Sequence, residues 1–141
     1  LSHQMMPNML IKNSLANALR DLIEKTSTPK LAVNLQIEGL EKEVDQNIQV
    51  TLYRIIQECI NNTVKHSGAD KIDISVIQSY KKITTEIKDN GKGFNPLKIS
   101  ENKDGIGLQN MKVRIEMLKG KMRIDSAADR GTQVFIEIPI V

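Results

Sequence analysis

The chain has 141 residues, 40% hydrophobic and 26% charged, which supplies the core of one domain and is too apolar for a disordered segment. Its net charge of +3 is spread out, with Lys81-Lys82 the only adjacent basic pair and Tyr53, Tyr80, Phe94 and Phe135 the only aromatics, a pattern that excludes the basic stripe or stacking platform of a nucleic-acid reader. A single cysteine, Cys59, excludes an internal disulfide and a cysteine-built zinc cluster, and no apolar run approaches the ~18 residues of a membrane helix.

Residues 7–25 open with Pro7 and set Leu10, Ile11, Leu15, Ala18, Leu19 and Leu22 along one stripe, which predicts a helix. Ser27 and Pro29 break it, and Leu31, Val33, Leu35 and Ile37 then alternate as in a strand with one buried face. Asp45 or Asn47 caps a second helix reaching about His66, with Ile48, Leu52, Ile55, Ile56, Cys59, Ile60 and Thr63 on its inner face. Segments 71–77 and 82–88 alternate around a turn at Ser79 and predict a hairpin. A Gly-, Asn-, Lys- and Asp-rich stretch over 89–107 precedes a third helix, read from Leu108, Met111, Ile115 and Leu118 and ended at Gly120. Residues 121–126 and 132–138 form a last strand pair, turning at Asp129-Arg130-Gly131.

Four segments carry candidate chemistry. On the second helix, Glu58 and Asn62, followed by Lys65 and His66, are spaced to share a face, giving oxygen ligands for a hard metal ion beside positive charge for phosphates. A solvated face with an i,i+4 polar pair has the same spacing. After a strand, Asp89-Asn90-Gly91-Lys92-Gly93 offers a carboxylate for an exocyclic amine and glycines for close backbone approach, although Asp-Asn-Gly is also a common turn. Asp104-Gly105-Ile106-Gly107-Leu108 leads into a helix, whose unpaired N–H groups suit phosphate; a short G-x-G is a weak signal by itself. Arg130-Gly131-Thr132 in isolation reads as a hairpin turn.

In this order and at these separations, the four segments resemble the N, G1, G2 and Gly-Thr boxes of the GHKL ATPase superfamily. Residues 52–58, then Asn62, Lys65 and His66, are similar to two-component sensor histidine kinases of the NarX/DesK type. Gly107-Leu108-Gln109-Asn110-Met111 through Arg114, then Lys119-Gly120 and Gly131-Thr132, continue the likeness, which covers roughly residues 2–139. Three departures stand out: Cys59 in place of a small alanine, Lys119 in place of the first glycine of a Gly-Gly pair, and Asp129-Arg130 in place of a glycine-containing turn.

The resemblance implies an α+β fold, a two-layer α/β sandwich of Bergerat type with a mixed sheet covered on one face by helices. It implies the end of a dimerisation helix and a hinge over residues 1–8, and a catalytic ATP-binding domain over 9–141. By the same likeness Asn62 holds Mg²⁺, Glu58 sits at the reacting phosphate as a polarising or base-like group, and Lys65 and His66 flank the phosphates. Asp89 reads adenine, Gly91 and Gly93 shape its pocket, Gly105, Gly107 and Leu108 serve the phosphates, Thr132 supports the adenine side, and residues 95–104 form a short lid. The implied function is transfer of the ATP γ-phosphate to a histidine on a dimerisation domain, with a response regulator downstream. His3 lies in the hinge likeness and is not the acceptor. The expected setting is a cytoplasmic fragment, monomeric by itself, cut from a longer homodimeric protein for which a membrane anchor stays open. A gyrase-like ATPase, an anti-sigma-factor serine kinase and a non-catalytic nucleotide-binding module are the competing classes. Glu58, Asn62, Lys65 and Asp89 together speak against the last, which has no chemical need for all four.

Overall fold

The computed structural model describes residues 14–40, 44–92, 103–126 and 130–140. Ser14 has an extended backbone (φ −68°, ψ 165°), and its side chain accepts the Asn17 N–H at 3.3 Å. That is an N-cap, so helix α1 runs Leu15–Thr26 and buries Leu15, Ala18, Leu19 and Leu22. The stripe expected to run unbroken from residue 7 is therefore interrupted at Ser14. Residues 1–13, with the expected hinge, lie outside the described residues.

Strand β1, Ala32–Glu38, leads to helix α2, Gln46–Asn62. Of the two expected caps it is Asp45 that serves, accepting the Asn47 N–H at 2.7 Å. Helix α2 continues as one π turn, Thr63–Ser67, closed by Gly68 in the left-handed region at φ 66°. Strands β2, Lys71–Gln78, and β3, Lys82–Asp89, form the expected hairpin, its turn closed by the Ser79 N–H on the Lys82 carbonyl at 2.9 Å.

Helix α3 spans Lys103–Met117 and so begins five residues before Leu108, where periodicity placed it. Gly105 and Gly107 sit in its first turns instead of ahead of it, at a cost of about 1 kcal/mol each in propensity. Buried Ile115, with partly buried Met111 and Leu118, anchors the helix to the core, and such packing outweighs local preference. At its end Lys119 takes the left-handed conformation at φ 64°. Glycine is needed at the next position, because a Cβ on Gly120 would lie 2.6 Å from the Glu137 carbonyl oxygen.

Strands β4, Lys121–Ser126, and β5, Thr132–Pro139, complete a five-stranded sheet of order β1-β2-β3-β5-β4. β1 and β2 are parallel; the other three pairings are antiparallel. On one face Ile72, Ile74, Val76, Ile83, Ile87, Val134, Ile136 and Ile138 form a single core with the buried residues of the three helices. Each such side chain contributes about 1.5–3 kcal/mol through burial. The other face exposes Asp73, Glu86, Lys88 and Arg123. The fold is the α+β, mixed-sheet, two-layer arrangement expected from the sequence, and its helices place the C-terminal end of α2 beside the C-terminal end of β3.

Candidate nucleotide site

Glu58 and Asn62 lie one α-helical turn apart near the end of α2, both half-buried, while Lys65 is exposed in the π turn. A π turn closes i→i+5 bonds and so rotates the residues after it relative to an unbroken α-helix. Lys65 and the backbone of His66 therefore continue the Glu58–Asn62 segment on a wider turn; the His66 side chain lies outside the described residues. Between these polar residues, Cys59 and Thr63 point inward and are buried. Burial, and after it the charges of Glu58 and Asp89, push the Cys59 thiol up to about 12, so it is a small apolar wall in chemical terms and no nucleophile.

Asp89 ends β3 and is half-buried. Its Oδ1 accepts the Gly91 N–H at 2.8 Å, an Asx turn that fixes the carboxylate. Its Oδ2 lies 3.3 Å from the Thr63 hydroxyl, which also donates to the Cys59 carbonyl at 2.9 Å. One hydroxyl has one proton, and the shorter bond claims most of it. Oδ2 thus keeps acceptor capacity for a donor arriving from outside the chain.

Opposite Asp89 in the β3–β5 register stands Thr132, and opposite Thr132 in the β4–β5 register stands Ser126. Directly paired residues present their side chains on one face. The Ser126 and Thr132 hydroxyl oxygens are 2.9 Å apart, and the Ser126 hydroxyl also lies 3.1 Å from the Gly131 carbonyl as a donor. A depression of about 390 Å³ opens at this end of the sheet, lined by Lys88, Asp125 and Gln133 as well as by Asp89, Ser126 and Thr132, but not by the described residues of α2 or the π turn.

The structure thus brings Asp89, Gly91 and Thr132 together, with Thr63 beneath them, at one end of the segment that carries Glu58, Asn62 and Lys65. Gly93 lies outside the described residues, as do the first eight residues of the expected lid at 95–104; the last two, Lys103 and Asp104, already belong to α3. Gly105 is the third residue of α3, within the first turn where N–H groups lack intrahelical partners, whereas Gly107 and Leu108 fall beyond it. Thr63, Ser126 and Asn90 were not singled out from the sequence. Thr63 fits the apolar stripe of α2 by period alone, and Ser126 gains meaning only from a register the sequence does not print.

Residues 47–141 match the family described as histidine kinase-, DNA gyrase B- and HSP90-like ATPase, and the chain belongs to that family. Sensor histidine kinase ComP of Bacillus subtilis (strain 168) is 32% identical over 139 residues, covering 98% of this chain and 18% of that protein. The signal transduction histidine-protein kinase/phosphatase DegS of Brevibacillus brevis is 38% identical over 103 residues, covering 72% of this chain and 26% of its own length. DegS of Bacillus subtilis (strain 168) is 32% identical over 139 residues, covering 95% and 36%. The chain therefore spans about a third or less of each of these relatives. Among solved structures, the histidine kinase domain from the Erythrobacter litoralis EL346 blue-light activated histidine kinase superposes with a TM-score of 0.68 at 16% identity, over 89% of this chain and 59% of that one. Acinetobacter baumannii histidine kinase AdeS does so with a TM-score of 0.63 at 21% identity, over 89% and 61%. These two likenesses establish the fold. No helix among the described residues is long and apolar enough to cross a membrane.

Proposed function

We propose that this chain is the ATP-binding catalytic domain of a sensor histidine kinase, and that it transfers the γ-phosphoryl group of ATP to a histidine on a dimerisation domain of the same protein. The supporting observation is the Asp89 carboxylate, fixed at Oδ1 by the Gly91 N–H and open at Oδ2 to a further donor, in register with Thr132. An exocyclic amine such as the adenine N6 group matches that acceptor, and the family resemblance gives Gly91 and Gly93 the role of shaping the pocket for the ring. Thr132 supports the same edge.

Phosphoryl transfer asks a protein mainly for positioning and charge compensation. The half-buried pair Glu58 and Asn62 fits a magnesium ion, which takes one or two protein oxygens and completes its shell with phosphates and water. In this reading the Asn62 amide oxygen is the protein's metal ligand, and bound Mg²⁺ supplies charge neutralisation at the phosphates. Glu58 polarises the attacking imidazole or accepts its proton. Lys65 and His66 flank the phosphate chain, and the start of α3 at Gly105, with Gly107 and Leu108 behind it, turns its N–H groups toward the same anion. A response regulator is the downstream partner, and the whole protein works as a homodimer with this domain on the cytoplasmic side. Titration calorimetry with Mg-ATP on this chain and on Asp89→Asn tests the reading: micromolar-range binding lost in the variant supports it, and equal binding by both removes Asp89 from the site.

A further inference from the structure

Asn90 is exposed and sits in a turn already closed without it, since the Asp89–Gly91 contact uses the Asp89 carboxylate. Its own side chain reaches elsewhere. Oδ1 accepts the N–H groups of Asp70 and Lys71 at 3.1 Å each, and Nδ2 donates to Asp70 Oδ1 at 2.6 Å. The Asn90 N–H adds a bond to the Lys71 carbonyl at 3.3 Å. Asp70 lies three residues past the π turn that carries Lys65, and its carbonyl accepts the Ala32 N–H at 2.9 Å, which ties the same point to the sheet edge. Gly68 also approaches the segment after Asn90: a Cβ there would meet Lys92 Cε at 3.7 Å.

We propose that Asn90 is a positioning residue of the nucleotide site, latching the end of the π turn to the strand end that bears Asp89. The latch fixes the separation between the group that takes adenine and the groups that take the phosphates. Only an amide fits this place. It must accept from two backbone N–H groups and donate to a carboxylate at once, and an aspartate at 90 would set two carboxylates against each other. A solvated turn residue needs none of these three bonds, all of which span 19 or 20 residues.

The inference rests on the nucleotide-binding reading above, and one experiment separates the two. Mg-ATP affinity is measured by calorimetry, with thermal melting alongside, for this chain, for Asn90→Asp, and for the exchanged pair Asp70→Asn with Asn90→Asp. The exchange rebuilds the donor–acceptor pair in reverse. Asn90→Asp is expected to weaken ATP binding by about tenfold, and the exchanged pair to recover most of it. Unchanged affinity in Asn90→Asp, or no recovery in the exchanged pair, overturns the latch while leaving ATP binding by the parent chain intact. Should Asn90→Asp unfold, recovery of fold and affinity in the exchanged pair supports the latch and failure to recover overturns it. No ATP binding by the parent chain would overturn both.

Discussion

Gly131 is packed against the backbone of Asp89: a Cβ at position 131 would fall well inside van der Waals contact with the Asp89 carbonyl oxygen, and its φ of 77° is left-handed. The turn before β5 therefore presses on the residue that the proposed function makes the adenine reader. Gly131→Ala is expected to cost about 2–5 kcal/mol, the sum of left-handed strain and overpacking. Because the displaced group is Asp89, ATP affinity should fall along with stability. Urea titration and calorimetry on the variant check both; a loss below about 1 kcal/mol with normal ATP binding would contradict the close approach.

Asp89→Asn keeps shape and removes the charge. The bond that the proposed function gives it with the adenine amine is charge-assisted, worth about 1.5–3 kcal/mol, or roughly 10- to 150-fold in affinity. The fold should survive, since Asn also accepts the Gly91 N–H. Circular dichroism and ATP titration on one sample distinguish loss of affinity from loss of structure.

Thr85 is fully buried in β3, and its hydroxyl oxygen has no hydrogen-bond partner among the described residues. An unpaired buried hydroxyl costs about 1–3 kcal/mol. Thr85→Val exchanges it for a methyl group of the same shape, and the melting temperature should rise with ATP affinity unchanged. A drop in stability would show that the hydroxyl is paired in solution.

Cys59 gives a pH signature. Its thiol titrates at about 12 when folded, above its unfolded value of about 8.5, so between those pH values the native state holds the proton more firmly. The stabilisation is complete below the unfolded value and disappears as pH rises through about 12. Cys59→Ala should therefore flatten the loss of stability between about pH 8.5 and 12, and native protein should react with thiol reagents only as fast as it opens. Rapid labelling of the native chain at neutral pH would contradict the burial of Cys59.

Much of this was legible in the sequence. The alternation of Ile72, Ile74 and Val76 and the stripe Ile48, Leu52, Ile55, Ile56 each follow a single period, so strands β2 and β3 and helix α2 fall where periodicity sets them. Element ends were less legible because they depend on single hydrogen bonds. Ser14 stops α1 by capping it, and α3 extends back through Gly105 and Gly107, two residues whose propensity argues against a helix. In the site, Asp89 and Thr132 are legible as residue types, but their pairing across β3 and β5, and the reach of Asn90 to Asp70, are tertiary facts that no local pattern contains.

Where the phosphate goes tests the proposed function most directly. This chain is incubated with Mg²⁺ and ATP labelled at the γ-phosphate, first alone and then with the dimerisation domain of the full-length protein added in trans. Alone it should bind the nucleotide and take up no acid-labile label, because the family resemblance assigns His3 to the hinge and the proposed function assigns His66 to flanking the phosphates, and neither role is that of an acceptor. With the added domain, label should appear on a histidine of that domain, weakly, since the tether that raises effective concentration is gone. Acid-labile phosphate on this chain alone, lost in His3→Ala, would contradict the placement of the acceptor; ATP binding without transfer to any supplied dimerisation domain would contradict the kinase reading itself.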